Sequence, residues 1–353
     1  MWWINILGLF LVSAFVAFGL TWIVRHLALA WKVLDYPTDS RKIHTTPIPL
    51  LGGWALYLTV LIMTIGLFLI GKVSDPKVSP TLLVGFFVSG AVLMLGGFLD
   101  DRWRLDWYQS LAFPISAIII VVTSGLQMPF ISNPLGGLLY FERWEPLAGG
   151  AISITAILMF IWLMITMYTT KLLDGLDGLA SSISLVAMLV IFVVSLFWDT
   201  PRSLTSYMSI IMAGSLVGFL IWNWHPAKIF LGESGSTWLG FSLGFLAIVT
   251  GGKIATALLV MGIPMLDVVW VIARRLFLRK NIMLGDAGHL HFRLLALGWS
   301  QQRVVITLSV VALLFGAVSF FTTTKGKVLA LALLLILMIS LVIYLVHHEK
   351  ESN

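Results

Sequence analysis

The chain has 353 residues, of which 59% are hydrophobic and only 11% are charged. Soluble globular domains carry roughly 25% charged residues, so this composition excludes a soluble fold. Cysteine is absent, which excludes disulfides, thiol nucleophiles and Cys-ligated metal centres. The net charge of +6 comes from 22 Lys and Arg in short loops, and we interpret it as membrane orientation, with no nucleic acid as a partner.

Apolar runs along the whole length predict an all-α polytopic membrane protein. A helix needs about 20 apolar residues to cross the hydrocarbon core. The first segment lacks the basic region of a cleaved signal, so we expect a retained helix there, and no linker or repeat divides the single domain 1–353. The runs predict eleven spans, at 2–24, 50–70, 80–98, 111–128, 151–169, 178–197, 203–221, 236–250, 254–273, 304–321 and 328–346.

The loops between these spans differ in charge. One alternating set holds 15 of the 22 Lys and Arg, which predicts that this set is cytoplasmic, the N-terminus outside and the C-terminus cytoplasmic. Most acidic residues fall on the same side, while 129–150 is predicted to be an interfacial excursion on the outer side. Only 251–253 separate the eighth and ninth spans, so a re-entrant element is the alternative there.

The first polar motif is GGFLDDRWRLD, in which Asp100 and Asp101 follow the third span. Adjacent carboxylates at the end of a membrane helix are unfavourable unless a cation or proton compensates them. The pair therefore suits Mg²⁺ binding or general-base chemistry. A solvated loop neutralised by Arg102 and Arg104 fits equally well.

The second motif is KLLDGLDGLA, which places Asp174 and Asp177 at i, i+3 and on one face if the turn is helical. Gly175 and Gly178 keep that face open to a ligand. Helix capping by one Asp is the alternative, and two Asp with two Gly make capping alone the weaker interpretation.

The third motif is NWHPAKIFLGESGSTWLG, a Gly-rich loop that opens the eighth span and contains Asn223, Phe230, Glu233, Gly235 and Ser236. Backbone N–H groups at such a helix start favour an anion. Phe230 offers a face for a nucleobase, although loop aromatics in membrane proteins usually pack or lie at the interface.

Two further loops carry cations. In GHLHFRLL, His289, His291 and Arg293 suggest a phosphate or pyrophosphate clamp, which we favour over a transition-metal site because Cys is absent.

The first cytoplasmic loop, DYPTDSRKIHTTPIPLLGG, supplies Arg41, Lys42 and His44. Ordinary positive-inside composition explains this loop almost as well.

These motifs converge on one face, which implies a nucleotide diphosphate and a second anionic substrate in the membrane. A transporter is the main rival, since charges inside apolar runs mark transport pathways, and Asp267 lies in such a run. A catalytically inactive homologue is the third hypothesis.

In order and spacing, the motifs RKIHTTPIPLLGG, GGFLDDRW, LLDGLDGLA, NWHPAKIFLGESGS and HLHFRLL resemble the polyprenyl-phosphate N-acetylhexosamine-1-phosphate transferases. The resemblance covers roughly 35–300 and is closer to the WecA and TagO branch than to MraY. It implies transfer of a sugar 1-phosphate from a UDP-sugar donor to polyprenyl (undecaprenyl) phosphate, with release of UMP. It further implies Mg²⁺, with Mn²⁺ as a substitute, a cytoplasmic active site in the inner (plasma) membrane, membrane lipid as a partner, and a homodimer.

The resemblance also implies roles for individual residues. Asp100 matches the candidate base, supported by Asp101, and the metal set is Asp100, Asp101 and Glu233. Phe230 matches the residue that stacks on uracil. The nucleotide neighbours are Asp177 and Asn223, and the pyrophosphate-side loop is His289, His291 and Arg293.

This sequence departs from the family pattern at five positions. The family usually has Asn at Tyr168 and Lys171, Lys at Ser110, Asp at Glu233 and His at Phe292. We hypothesise that Lys171 supplies near the diphosphate the cation that Ser110 does not.

Overall fold

The computed structural model describes residues 2–37, 43–70, 78–128, 130–133, 137–140, 153–198, 203–249, 254–280, 286 and 288–351. Nearly all of this part of the chain is helical. The helices are α1 (Trp2–Ala30), α2 (Gly52–Leu69), α3 (Pro80–Trp103), α4 (Trp107–Thr123), α5 (Ile154–Leu173), α6 (Leu179–Trp198), α7 (Leu204–Asn223), α8 (Gly232–Val249), α9 (Ile254–Val260), α10 (Gly262–Phe277), α11 (Leu290–Ala296), α12 (Gln301–Phe321) and α13 (Thr324–Glu351).

Serine residues define where several of these helices begin. The hydroxyls of Ser79, Ser153, Ser203 and Ser300 each accept a hydrogen bond from the backbone N–H three residues on. Each bond satisfies one of the N–H groups that have no partner within a helix. The α3, α5, α7 and α12 helices therefore start within a few residues of the predicted span boundaries.

Eight helices within the described ranges are long and apolar enough to cross a membrane: α1, α2, α3, α5, α6, α7, α12 and α13. The bent pair α9 and α10 adds a ninth if it forms one span. The α4 helix, with 17 residues, is shorter than these. An all-α polytopic membrane protein is confirmed.

The predicted span at 254–273 consists of two helices rather than one. The chain bends by 75° between α9 and α10, at Met261. Pro264 explains the break, because it has no N–H to donate to the carbonyl of Val260 and its ring clashes there. Gly262 lies beside α13, where an added Cβ would be 2.9 Å from a methyl group of Leu334.

The α8 helix lies at the centre of the bundle, packed against α2, α3 and α5. Every residue from 234 to 248 is buried. Glycines on α8 and on its neighbour α2 allow this close approach. A Cβ on Gly240 of α8 would lie 2.4 Å from the carbonyl oxygen of Thr166, and a Cβ on Gly53 of α2 would lie 2.1 Å from Gly235 Cα of α8. Small residues at helix contacts are typical of membrane bundles.

Two short antiparallel hairpins complete the described fold. In the first, β1 (Leu34–Asp35) pairs with β2 (Ile48–Pro49) beside the start of α2. In the second, β3 (Phe130–Ser132) pairs with β4 (Leu138–Tyr140), within the predicted excursion, of which 129, 134–136 and 141–150 lie outside the described residues.

Candidate active site

A cleft of about 420 Å³ opens where α3 and α5 end and where α8 and α12 begin. The sequence order explains this meeting point, since each polar motif follows or precedes an apolar run. Eight of the predicted site residues line the cleft: His44, Asp101, Lys171, Asp174, Asp177, Phe230, Glu233 and Ser236. The convergence predicted from separate motifs is therefore present for these residues.

Asp101 binds the start of α8. Its two carboxylate oxygens accept from the backbone N–H of Glu233 at 3.1 and 3.2 Å. Gly232 has a φ of +73°, and a Cβ there would lie 2.5 Å from Asp101 Oδ2, so this position favours glycine. The carboxylate of Asp101 thus occupies the helix start that the sequence predicted as an anion site.

Lys171 and Glu233 form an ion pair between the end of α5 and the start of α8. Their side chains are 27% and 18% exposed, so water screens the pair only partly. A cation in the last turn of one helix and an anion in the first turn of another both favour the helix dipoles. The Lys171 ammonium also lies 5.4 Å from the centre of the Tyr168 ring.

Asp100 does not line the cleft in this structure, although its neighbour does. It lies in the last turn of α3, which continues to Trp103, beyond the predicted span end at 98. Asp100 Oδ1 accepts from the backbone N–H of Leu105 at 2.8 Å, and Oδ2 accepts from the Ser110 hydroxyl at 3.2 Å. Its carboxylate therefore ties the end of α3 to α4.

Asp174 follows the last residue of α5 and lines the cleft. Burial raises the pKa of Asp174 to about 7, and the negative charges of Glu233 and Asp177 add to the effect. The carboxyl therefore exchanges its proton near neutral pH. Carboxyl groups perturbed in this way cluster at functional sites.

Asp177 contacts residues that the sequence reasoning did not single out. Its Oδ2 lies 2.7 Å from His225 Nδ1 and accepts from the backbone N–H of Ala227 at 3.1 Å. Gln301, at the start of α12, also lines the cleft and accepts from the Asp177 N–H at 3.4 Å. The NWHP motif contained His225, but only the fold brings it to Asp177.

Phe230 and His44 contact each other at the rim of the cleft. Their rings meet edge to face, with centroids 5.4 Å apart. The backbone of Phe230 is held by the first hairpin and by the start of α2, because its N–H donates to the Pro49 carbonyl and its carbonyl accepts from the Gly52 N–H, both at 2.9 Å. Arg41 and Lys42 lie outside the described residues.

The residues of the predicted phosphate clamp lie beside the cleft rather than in its lining, and a Cβ on the cleft-lining Gly175 would be 2.5 Å from His291 Nε2. His289, His291 and Arg293 are only 5%, 2% and 6% exposed, and none of them lines the cleft. Burial, with a smaller effect from His289, lowers the pKa of His291 to about 3, so its imidazole is neutral at physiological pH. Arg293 donates from Nε to the Gly288 carbonyl at 3.0 Å.

Asp267 explains why this loop is buried. Its carboxylate lies 2.8 Å from His289 Nδ1 and accepts from the backbone N–H of Leu290 at 2.8 Å. The acidic residue that had favoured a transport pathway therefore joins α10 to α11, and at 6% exposure it is closed to a passing solute.

Asn223 and Gly235 also lie away from the cleft lining. Asn223 is 2% exposed, donates to the Ile229 carbonyl and accepts from the Ser181 hydroxyl, so both ends of its amide are bound by protein. Gly235 faces Gly53 of α2. At these two positions the structure shows internal packing, and direct contact with substrate stays a prediction.

Each of the predicted magnesium ligands has a protein partner in this arrangement. The oxygens of Asp100 and Asp101 accept from N–H and hydroxyl groups, and Glu233 is paired with Lys171. Across the described part of the chain, no group of three His, Asp or Glu comes together to hold a metal ion. Because Mg²⁺ is held in proteins by one or two carboxylates plus substrate phosphates, binding of Mg²⁺ at this cleft stays a prediction.

The bundle and its charged cleft define an integral membrane protein with a polar site at the ends of its helices. The family model for glycosyl transferase family 4 matches residues 83–251, which include Asp101, Lys171, Asp174 and Glu233. The chain belongs to this family, and the resemblance predicted from its motifs is confirmed.

Three relatives cover most of the chain. The probable undecaprenyl-phosphate N-acetylglucosaminyl 1-phosphate transferase of Bacillus subtilis is 30% identical, over 95% of this chain and 90% of that protein. The decaprenyl-phosphate N-acetylglucosaminephosphotransferase of Mycobacterium leprae is 33% identical, over 88% and 82%. The phospho-N-acetylmuramoyl-pentapeptide-transferase of Bacillus subtilis is 27% identical, over 88% and 94%.

Proposed function

We propose that this protein transfers a sugar 1-phosphate from a UDP-sugar to a polyprenyl phosphate and releases UMP. N-acetylglucosamine 1-phosphate or a related N-acetylhexosamine 1-phosphate is the group transferred. The names of the B. subtilis and M. leprae relatives support both the sugar and the lipid acceptor. The product would start a cell-envelope glycan.

One structural observation carries the proposal: a single cleft joins four carboxyl groups, an ammonium and an aromatic ring. The carboxyl groups are Asp101, Asp174, Asp177 and Glu233, and the others are Lys171 and Phe230. Phosphoryl transfer asks a protein mainly for positioning and for compensation of charge. A cleft of this kind meets both needs without a covalent nucleophile.

The cleft residues divide the work as follows. The Phe230 ring offers a face to the uracil, and its backbone is bonded to the first hairpin and to the start of α2. Lys171 attracts the diphosphate. Asp174, whose pKa is raised by burial and by neighbouring charges to about 7, is able to accept a proton near neutral pH. Asp101 fixes the start of α8, on which Glu233 and Ser236 lie.

The same proposal includes eleven spans in the inner (plasma) membrane, an N-terminus outside, a C-terminus in the cytoplasm and a homodimer. The charge difference between the loops supports a cytoplasmic cleft. UDP-sugars are made in the cytoplasm, so the cleft would open toward its donor. Cysteine labelling of single-cysteine variants is direct because the chain has no cysteine of its own.

The function is tested by incubating purified protein with polyprenyl phosphate, divalent cation and a panel of UDP-sugars, with UMP release as the readout. We expect release with UDP-N-acetylglucosamine or another UDP-N-acetylhexosamine. Phe230→Ala should raise the KM for the donor about tenfold, since one base–aromatic contact contributes about 1–3 kcal/mol. Phe277→Ala, a 91% exposed ring on α10, is the matched control. Absence of UMP with every donor would refute the proposal.

A further inference from the structure

The position of Lys171 is set by the packing of α5 against α8. Gly240 of α8 lies against Thr166 and Met167 of α5, where a Cβ would be 2.4 Å and 2.6 Å from their backbone atoms. Lys171 lies one turn beyond Met167, and Glu233 lies two turns before Gly240. The two helices run antiparallel, so these turns bring Lys171 and Glu233 together.

The ammonium has partners that hold it in place. It pairs with Glu233, and the Tyr168 ring lies 5.4 Å away on the same helix face. A Lys ammonium near an aromatic face gains a further attraction. Because the two side chains are only 27% and 18% exposed, water screens the pair only partly, and the pair forms part of the cleft wall.

A bound divalent cation would compete with this ammonium. Glu233 is the carboxylate on which the family pattern places the metal, and here it already neutralises a positive charge. A metal ion on Glu233 would either displace Lys171 or lie against a like charge, and both reduce its affinity. A fixed ammonium is also a phosphate-binding group in its own right.

Two of the other departures from the family pattern, Tyr168 and Ser110, lie close to this ion pair. The Tyr168 ring contacts Lys171. The Ser110 hydroxyl donates to Asp100, and the family usually has Lys at position 110. The positive charge missing at Ser110 is thus present at Lys171. One positive charge therefore still lies beside the carboxylates, and in this chain it is paired with Glu233.

We propose that the Lys171 ammonium is a built-in counter-cation of this cleft, which neutralises Glu233 and keeps the affinity of the cleft for a divalent cation low. The proposal rests on the proposed function only in taking this cleft as the place where substrate phosphates bind. It sharpens the hypothesis drawn from the sequence, because the cation lies on the carboxylate before any diphosphate arrives.

The test measures metal binding rather than turnover. Full-length protein in lipid nanodiscs is titrated with Mn²⁺, without donor or acceptor, and free Mn²⁺ is followed by electron paramagnetic resonance. Lys171→Met keeps the length of the side chain and removes its charge, so it should bind Mn²⁺ about tenfold or more tightly than the wild type. Lys171→Arg, which keeps the charge, should bind as weakly as the wild type.

Two further variants locate the effect. Lys228→Gln removes an exposed positive charge in the α7–α8 loop, outside the cleft, and should leave Mn²⁺ affinity unchanged. Adding Glu233→Gln to Lys171→Met should abolish the gained binding. Equal affinity of the wild type and Lys171→Met would overturn the proposal, as would an equal gain in Lys228→Gln.

Folding defects do not block the test. If Lys171→Met does not purify as a folded protein, Lys171→Gln replaces it, and Glu233→Gln is compared with the wild type. A tight Mn²⁺ site in the wild type that disappears in Glu233→Gln would refute the proposal. UMP release is scored separately, so failure of the transferase activity leaves the metal result intact, and the reverse also holds.

Discussion

Replacing Gly53 by Ala tests the close contact between α2 and α8. An ideal Cβ on Gly53 lies 2.1 Å from Gly235 Cα, 2.4 Å from Gly235 N and 3.1 Å from the Ser234 carbonyl carbon. Optimal separation between carbon atoms is about 3.5–4.0 Å, so the overlap exceeds 1 Å. Because these three atoms are backbone atoms, no side-chain rotation relieves the clash.

The substitution should therefore separate the two helices. Overpacking of a well-packed core costs about 1–3 kcal/mol. For a chain of this size the corresponding loss of Tm is roughly 1–4 °C. Thermal unfolding in detergent, followed by far-ultraviolet circular dichroism, measures the loss. UMP release should fall by more than stability alone explains, since the start of α8 carries Glu233 and Ser236 into the cleft.

Gly66→Ala is the matched control on the same helix, because nothing lies within 4 Å of a Cβ at that position. It should leave Tm unchanged or raise it slightly, since Ala has a higher helix propensity than Gly. If Gly53→Ala and Gly66→Ala gave the same Tm and the same activity, the packing argument would be refuted.

Three further predictions concern the α10–α11 region. Unfolded His291 takes up a proton near pH 6.5, whereas burial, with a smaller effect from His289, holds its folded pKa at about 3. The free energy of unfolding of the wild type should therefore fall below pH 6.5 by up to about 1.4 kcal/mol per pH unit. His291→Gln should lack this pH dependence, whereas the control His26→Gln, at an exposed position, should keep it. Asp286 binds Arg274, Arg275 and the Gly288 N–H, and these bonds outweigh its burial and lower its pKa to about 2. Asp286→Asn should cost about 1–3 kcal/mol at neutral pH, and the stabilisation should be lost only as pH falls from about 3.8 toward 2. Asp267→Asn should cost a similar amount by releasing α11, and an unchanged Tm would contradict the role given to Asp267.

The helices were largely predictable because apolar length and serine caps are local signals. The starts of α3, α5 and α7 agree with the predicted spans to within about three residues. The bend at Met261 was missed, although Pro264 was visible in the sequence. A single Pro within an apolar run is compatible with the first turn of a new helix and with a kink inside a continuous one. Only the packing against α13 distinguishes these two cases.

The site was predictable as a set of residues and less so as a set of roles. Side chains at the ends of apolar runs reached the cleft, as Asp101, Asp174 and Glu233 show. The surroundings of His289 could not be read from the i, i+2 spacing of the two histidines, because its partner Asp267 is more than 20 residues away. The partner of Lys171 required knowledge of how α5 and α8 pack.

The central position of α8 determines how this protein responds to bilayers of different thickness and fluidity. Residues 234–248 are enclosed by other helices, whereas large apolar side chains of α1, α12 and α13, including Phe15, Phe321 and Leu329, are exposed on the outside of the bundle. A change in acyl-chain length or fluidity therefore acts first on that outer layer. The α8 helix, which carries Glu233, does not contact the lipid directly. The outer helices can therefore adjust to a new lipid composition while the side chains of the cleft keep the same contacts.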